Sequence, residues 1–317
     1  MRKNKIEGVQ PFNKFYFRSC YYHQLIAGLS CFGIPYESVI ISYFIFPKQY
    51  FELEKKVFSE KDLEKILGYR NKKCDLSKKQ LLSEIDKNRP MIVGVDCFYF
   101  ESRPDTYLNA HDPHYVLVYG YDLDNNTLNV LDHSYRNSPE YIEKTIDLDN
   151  LLYSNKKLRC EPLKRKKTIS ILQKKKGDVL DVLSVLQRFE HERFEQAKTD
   201  SAFNLESLKS FVLHENSALE EKITKITQYL QEMKNFFINL ESITLFTDTR
   251  EKQIALSVIT SAYSNLLSIF WKMENKHDYG FAFRSKETII RKIDELLNAE
   301  RFIYDYILEI YKCHTKQ

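Results

Sequence analysis

The chain is poor in the residues that punctuate and cross-link a fold. Its 317 residues include only 8 glycines and 8 prolines, set against an excess of Lys, Asn, Ile, Tyr and Phe. That bias reads as genomic base composition rather than as a functional signal. Neither an internal repeat nor a low-complexity segment is present. The six cysteines, at 20, 31, 74, 97, 160 and 313, form no CxxC pair and no zinc-binding spacing, and the opening MRKNKIEGVQPF lacks an apolar signal region. Reduced thiols and a cytoplasmic protein are therefore expected. The longest apolar run, VIISYFIF at 39 to 46, is far short of the roughly 20 residues of a membrane helix, so no transmembrane segment is expected. Charge of one sign is also lacking: 48 basic against 44 acidic residues leave +4. So weak a field makes no case for nucleic acid or membrane as partner. What the chain has is apolar content, 43%, ample for a core, and length enough for two domains or one domain with a large appendage.

The organising stretch is FYFRSCYYHQLIAGLSCFG at 15 to 33. Tyr22, Leu25, Ile26, Leu29 and Phe32 recur at spacings of three and four and Gly33 follows, the pattern of a core helix with Cys20 at its start. A thiol there meets the positive end of the helix dipole, which favours thiolate, and unpaired N–H groups able to hold an oxyanion. Alone, a cysteine is more often a small buried hydrophobe than a nucleophile. Downstream, HDPHYVLVYGYDLDNNTLNVLDHS reads as a β-hairpin: His114 opens one strand, DLDNN supplies the turn, and the second strand ends at Asp132. Cysteine on a helix N-terminus, histidine as base and a carboxylate orienting it make the thiol version of the hydrolase triad, in the order of papain-like folds. A flat ladder would leave Asp132 a few residues from the position opposite His114, so the pair needs strand twist or a bulge.

Elsewhere the N-terminal half mixes helix and strand. GIPYESVIISYFIF reads as a core segment, and KQYFELEKKVF and SEKDLEKILGY as amphipathic helices. LSKKQLLSEIDKN begins with a capping box at Ser77 and Gln80, RPMIVGVDCF reads as a buried strand, and IDLDNLLYS as a short helix capped by Asp147. The fold class expected is α+β, with a papain-like catalytic domain over residues 1–165 and an all-helical bundle over 166–317. Past Gly177 the only glycine is Gly280, and helices are expected near 178–198, 204–245, 250–276 and 285–313.

SCYYHQLIAGLSCFGIPYESVI, with RPMIVGVDCF and HYVLVYGYDLDNNTLNVLD behind it, resembles the N-terminal domain of the butirosin-biosynthesis protein H family, papain-like cysteine acyltransferases. The resemblance covers about half the chain. Its motif positions are Cys20, Gly33, Glu37, His114, Gly120, Tyr121, Asp122 and Asp132. It implies Cys20 as nucleophile, His114 as base and Asp132 as orienter. It also implies acyl transfer from the phosphopantetheine thioester of an acyl or peptidyl carrier protein to a small amine or diamine, as in amide synthetases of thiotemplated antibiotic biosynthesis such as the closthioamide type. No cofactor is then needed, since phosphopantetheine arrives on the carrier. The chain departs from the family where SYFIF replaces a glycine-rich segment, and where histidine stands at 23 rather than beside the cysteine. Lys14 occupies the place of the papain oxyanion glutamine, leaving Gln10 and Asn13 as substitutes.

Three other readings compete. A cysteine peptidase would share every catalytic residue, and a binding protein on a dead protease fold would have lost one. His111, Asp112, His114, Asp132 and His133 could instead ligate a metal, although that leaves Cys20 unexplained. His23 and His133 read as ordinary polar residues. Ten basic residues lie between Lys156 and Lys176 against the single acid Glu161. They form a solvated linker or, with Arg165 and Lys167 at their centre, a docking patch for an acidic carrier. The bundle could shape the pocket or make a homodimer.

Overall fold

The computed structural model describes residues 2–14, 20–44, 60–134, 140–160, 162–165, 168–175, 184–185, 191–213, 218–243, 246–276 and 285–315. The fold is mixed α and β, with an antiparallel sheet in the N-terminal part and helices in the C-terminal part. Two compact units divide it: Met1–Val39 with Leu67–Asp181, and Ile40–Ile66 with Val182–Gln317.

In the first unit a seven-stranded sheet runs in the order β2 (Tyr69–Cys74), β7 (Ile169–Lys174), β3 (Met91–Asp96), β4 (Pro113–Asp122), β5 (Thr127–His133), β6 (Tyr141–Asp147), while β1 (Lys3–Lys5) pairs with the far end of β4. Each pairing is antiparallel. β3 is buried along its whole length, as its unbroken apolar run predicts. β7 follows the domain boundary expected at 165 and is nevertheless a central strand of this sheet. The reason is that Ile169, Ile171 and Leu172 are buried within a segment whose flanking lysines suggest a linker. β2, β6 and β1 also escape the periodicity, since polar residues dominate their exposed positions.

Helix α1 (Cys20–Ser30) begins at Cys20 and ends in a turn at Gly33, whose φ of 76° is the left-handed conformation glycine tolerates. The helix packs on β4 and β3. It comes so close that a Cβ added at Gly28 would lie 2.5 Å from a methyl of Leu172 and 3.1 Å from one of Leu117. GIPYESVI, expected only as a core segment, is a helix, α2 (Tyr36–Phe44). SEKDLEKILGY contributes α3 (Glu60–Ile66), whereas the helix expected over KQYFELEKKVF lies outside the described residues. α4 (Lys78–Ile85) is capped by Ser77, which accepts from the N–H of Gln80 at 3.2 Å; the Gln80 side chain goes to Cys74 Sγ instead of completing the box. α5 (Leu148–Leu158) is capped by Asp147, which accepts from the N–H of Asn150 at 2.7 Å. Asn155 of α5 donates to the carbonyl of Gly94 and to Thr168 Oγ1, fixing the helix against β3.

The second unit contains α6 (His191–Leu213), α7 (Ala218–Glu241), α8 (Arg250–Lys276) and α9 (Lys286–Thr315). The helix expected to stop at 198 runs on to 213. Asp200, Ser201 and Asn204 look like a break in sequence. All three are buried, and Ser201 donates to Glu300, so these polar residues satisfy partners inside the bundle rather than ending a helix. Over Arg250–Asn275, α8 is long and apolar enough, by length and composition, to cross a membrane. It buries Leu256, Ile259, Tyr263, Leu266 and Phe270 and packs on α7 and α9.

The close approach of α1 to the sheet leaves no room for a side chain at Gly28 unless its neighbours shift. Gly28→Val should destabilise it by about 1–3 kcal/mol, the usual cost of overpacking, read as a lower urea midpoint at unchanged slope. A midpoint equal to that of the parent would show that the helix can lift off without cost.

Candidate functional site

His114 and Asp132 meet: Nε2 of the imidazole lies 2.7 Å from Oδ1 of the carboxylate, and both side chains are buried. A bulge makes this possible. β4 and β5 pair as Asp122–Thr127, Tyr121–Leu128 and Gly120–Asn129, then shift by one residue to Val118–Val130 and Leu117–Leu131, leaving Tyr119 unmatched. Continuing the shifted register sets Asp132 opposite Val116, two residues from His114 and on the same face. Without the shift Asp132 would fall opposite Leu117, on the other face. Residues of the Gly-Tyr-Asp motif shape this hairpin. A Cβ at Gly120 would lie 2.6 Å from Asn129 Oδ1, Tyr121 donates to Asp86 at 2.7 Å, and Asp122 accepts from the N–H groups of Asp124 and Asn125 in the turn.

Asp132 is held on every side. Oδ1 also accepts from the N–H of His133 at 2.7 Å, and Oδ2 accepts from Lys144 Nζ at 3.0 Å. Burial opposes its charge, but the bond to His114, the imidazolium charge and Lys144 outweigh burial and hold the carboxyl down at about 2. Burial likewise opposes charge on His114. The bond to Asp132, then hydrogen bonding to Cys20 and its negative charge as thiolate, override burial and raise the imidazole to about 9. With Nε2 taken by Asp132, Nδ1 is the ring nitrogen left for the thiol. Cys20 is half-buried, at the first position of α1, where the N–H groups of the first turn have no acceptor within the helix.

The neighbouring imidazoles behave differently. His133 packs edge-on to His114, with centroids 5.1 Å apart, and its Nε2 is bonded to the Tyr141 hydroxyl. Burial first, and then the charge on His114, push it down to about 4. His23 stacks on Tyr141 at 5.0 Å and burial lowers it to about 4. Both are neutral near pH 7. His111 turns elsewhere, to Asp96, with Nδ1 2.8 Å from Oδ2. Of the five residues weighed as a metal cluster, His111 is thus drawn away from His114, Asp132 and His133, and among the described residues no group of three His, Cys, Asp or Glu could hold a metal ion. The other cysteines near the sheet are protonated thiols: burial pushes Cys31 and Cys97 up to about 12.

Asn13 is engaged through both polar atoms of its side chain. Its Nδ2 donates to the carbonyl of Tyr141 and its Oδ1 accepts the Tyr141 N–H at 2.7 Å, which ties the segment before Cys20 to β6. The second Nδ2 hydrogen is the one left for an oxyanion. Gln10 is exposed, and its backbone N–H donates to Ser30; the Lys14 ammonium lies over the Tyr36 ring. Of the basic stretch, Arg165 is exposed, while Lys167 lies outside the described residues. Lys157 sits over the rings of Tyr99 and Tyr153, Arg159 pairs with Asp75, and Lys174 donates to the carbonyl of Phe32.

Two residues at the site were not anticipated. Lys144 could have been found only by pairing β6 with β5. Gln24 left a signal, a polar residue one turn beyond Cys20 on an otherwise apolar helix. Fully buried, it donates through Nε2 to the carbonyls of Leu131 at 3.1 Å and Tyr115 at 3.3 Å. Compared with known proteins, the chain matches no family model and no curated protein.

The raised imidazole has a signed consequence. Its contribution to stability is fully present below the ordinary value near 6.5 and is lost as pH rises through about 9. An NMR titration should show His114 protonated through neutral pH in the native chain, and Asp132→Asn should lower its midpoint. A native midpoint at 6.5 would refute the ion-pair description of the site.

Proposed function

We propose that the first unit is a papain-like cysteine acyltransferase, with Cys20 as nucleophile, His114 as acid and base, and Asp132 as orienter. The observation that carries this reading is the buried His114–Asp132 pair, with Cys20 at a helix N-terminus close enough to help raise the imidazole. Supporting it, burial lowers the two adjacent imidazoles to about 4, far from the range suited to proton transfer near neutrality.

The substrate proposed is the thioester of a carrier protein's phosphopantetheine, and the acceptor a small amine. The Cys20 thiolate attacks the thioester carbonyl, and unpaired N–H groups at the start of α1 take the charge that develops on oxygen. Collapse breaks the carbon–sulfur bond to the carrier, whose thiol leaves with the proton given by His114. The amine then attacks the acyl-cysteine and gives its proton to His114, and collapse releases the amide and restores the thiolate. Neither ATP nor a metal enters this cycle. Aminolysis outruns water at about 55 M only if the amine is held in attacking geometry, where effective molarities of about 10⁵ M or more are reached.

Mixed with a carrier-bound acyl thioester, the protein should acquire a mass adduct on Cys20 that Cys20→Ala abolishes. As amine concentration rises across a panel of amines and diamines, amide should overtake free acid. His114→Ala should cost more activity than His133→Ala or His23→Ala, and Asp132→Asn less than His114→Ala. Adducts confined to Cys31 or Cys97 would refute the nucleophile. Cleavage of unfolded peptides with acid as the only product from thioester would make the protein a peptidase.

An acidic carrier would be steered by the basic stretch around Arg165 and Lys167. Reversing both charges should raise KM for the carrier-bound donor and leave a small thioester mimic unaffected. An equal change for both donors would remove the docking role.

A further inference from the structure

A cavity of about 430 Å³ lies between α6 and α9 in the helical unit, within the size range of small-molecule sites. Its floor holds the carboxylate of Glu300, which is only 2% exposed. Oε1 accepts from the Tyr263 hydroxyl and Oε2 from the Ser201 hydroxyl. Both donors are neutral, and among the described residues no lysine or arginine is paired with this carboxylate. Each oxygen has a second lone pair. A buried carboxylate without a counter-charge is costly, and burial, opposed only by these two hydroxyl bonds, pushes Glu300 up to about 7. Leu205, Leu297, Ala202 and the ring of Tyr304 supply the apolar part of the lining, and Glu195, Thr199, Glu206 and Asn298 add polar groups. Lys198 also lines it, but its ammonium is paired with Asp305, and Arg301 is exposed at the mouth.

We propose that the helical unit binds a primary ammonium ion carrying an apolar tail, with the ammonium against Glu300 and the tail along Leu205, Leu297 and Tyr304. The cation supplies the counter-charge that two hydroxyls do not, and its three N–H donors fit the lone pairs left on the carboxylate. Tyr304 adds an aromatic face for the carbons next to nitrogen. A carboxylate or phosphate ligand would meet like charge, and a neutral alcohol would leave the charge uncompensated. This site is independent of the chemistry proposed for Cys20. A purely structural role for Glu300, joining α6, α8 and α9 through Ser201 and Tyr263, is the outcome the test must distinguish.

The full chain is titrated calorimetrically with n-hexylamine and 2-phenylethylamine at neutral to mildly alkaline pH, with 1-hexanol and hexanoate as uncharged and anionic counterparts. The amines should bind with saturation and raise Tm, while the alcohol and the acid do neither. Glu300→Gln should weaken amine binding at least about tenfold. Ala202 is an exposed lining position, so Ala202→Trp should fill the cavity and weaken binding similarly without touching the carboxylate network, even if Glu300→Gln fails to fold. Cys20→Ala should bind as the parent does. The proposal is overturned if neither amine binds at millimolar concentration, if hexanol or hexanoate binds as well, or if Ala202→Trp leaves amine affinity unchanged.

Discussion

A single amide group, that of Gln24, fixes the relation between the helix that carries Cys20 and the strands that carry His114 and Asp132. The β4–β5 ladder ends at Leu117–Leu131. Beyond that rung the carbonyls of Tyr115 and Leu131 reach into the interior, where a buried acceptor left without a donor costs about 1–3 kcal/mol. Gln24 Nε2 satisfies both. Tyr115 adjoins His114, Leu131 adjoins Asp132, and Gln24 stands four residues, one helical turn, from Cys20. One side chain therefore indexes three elements against each other. An aliphatic residue of similar size would fill the space yet give up both of these bonds. A glutamate would set acceptor against acceptor.

Electrostatics then selects one imidazole out of three. His23, His114 and His133 share a ring cluster with Tyr141, and burial disfavours charge on each. Only His114 meets a carboxylate through its own ring nitrogen. That carboxylate stays ionised because the bond to His114, its charge and Lys144 outweigh burial. The charge on His114 in turn helps keep His133 neutral. Lys144 acts on the imidazole at one remove, by holding Asp132 anionic and oriented.

The sequence reveals what local pattern dictates and hides what strand pairing decides. α1, the capped starts of α4 and α5, β3 and the hairpin are all readable, because periodicity, caps and turn residues are local signals. β7 is not, since two long-range neighbours bury it while its lysines advertise solvent. The bulge is legible in part: the spacing of His114 and Asp132 calls for twist or a bulge, but no residue type places it at Tyr119, and only the pairing shows that it brings Asp132 onto the face of His114. Lys144 is hidden for the same reason. The polar run at Asp200, Ser201 and Asn204 misleads in the opposite sense. The sequence rule treats such residues as helix ends, whereas here they are buried.

Each unit buries a carboxylate, and the two are compensated in opposite ways. Asp132 is surrounded by an imidazolium, an ammonium and a backbone N–H, so its charge is balanced by fixed groups and its geometry is locked. Burial cannot neutralise it, and its value falls. Glu300 has only hydroxyl donors, so burial prevails and its value rises. The carboxyl group is chemically the same in both places, and the difference lies in whether the chain supplies a cation beside it. Where the chain supplies one, the carboxylate can orient another residue. Where it instead leaves a cavity of about 430 Å³, the missing counter-charge is what a ligand can bring.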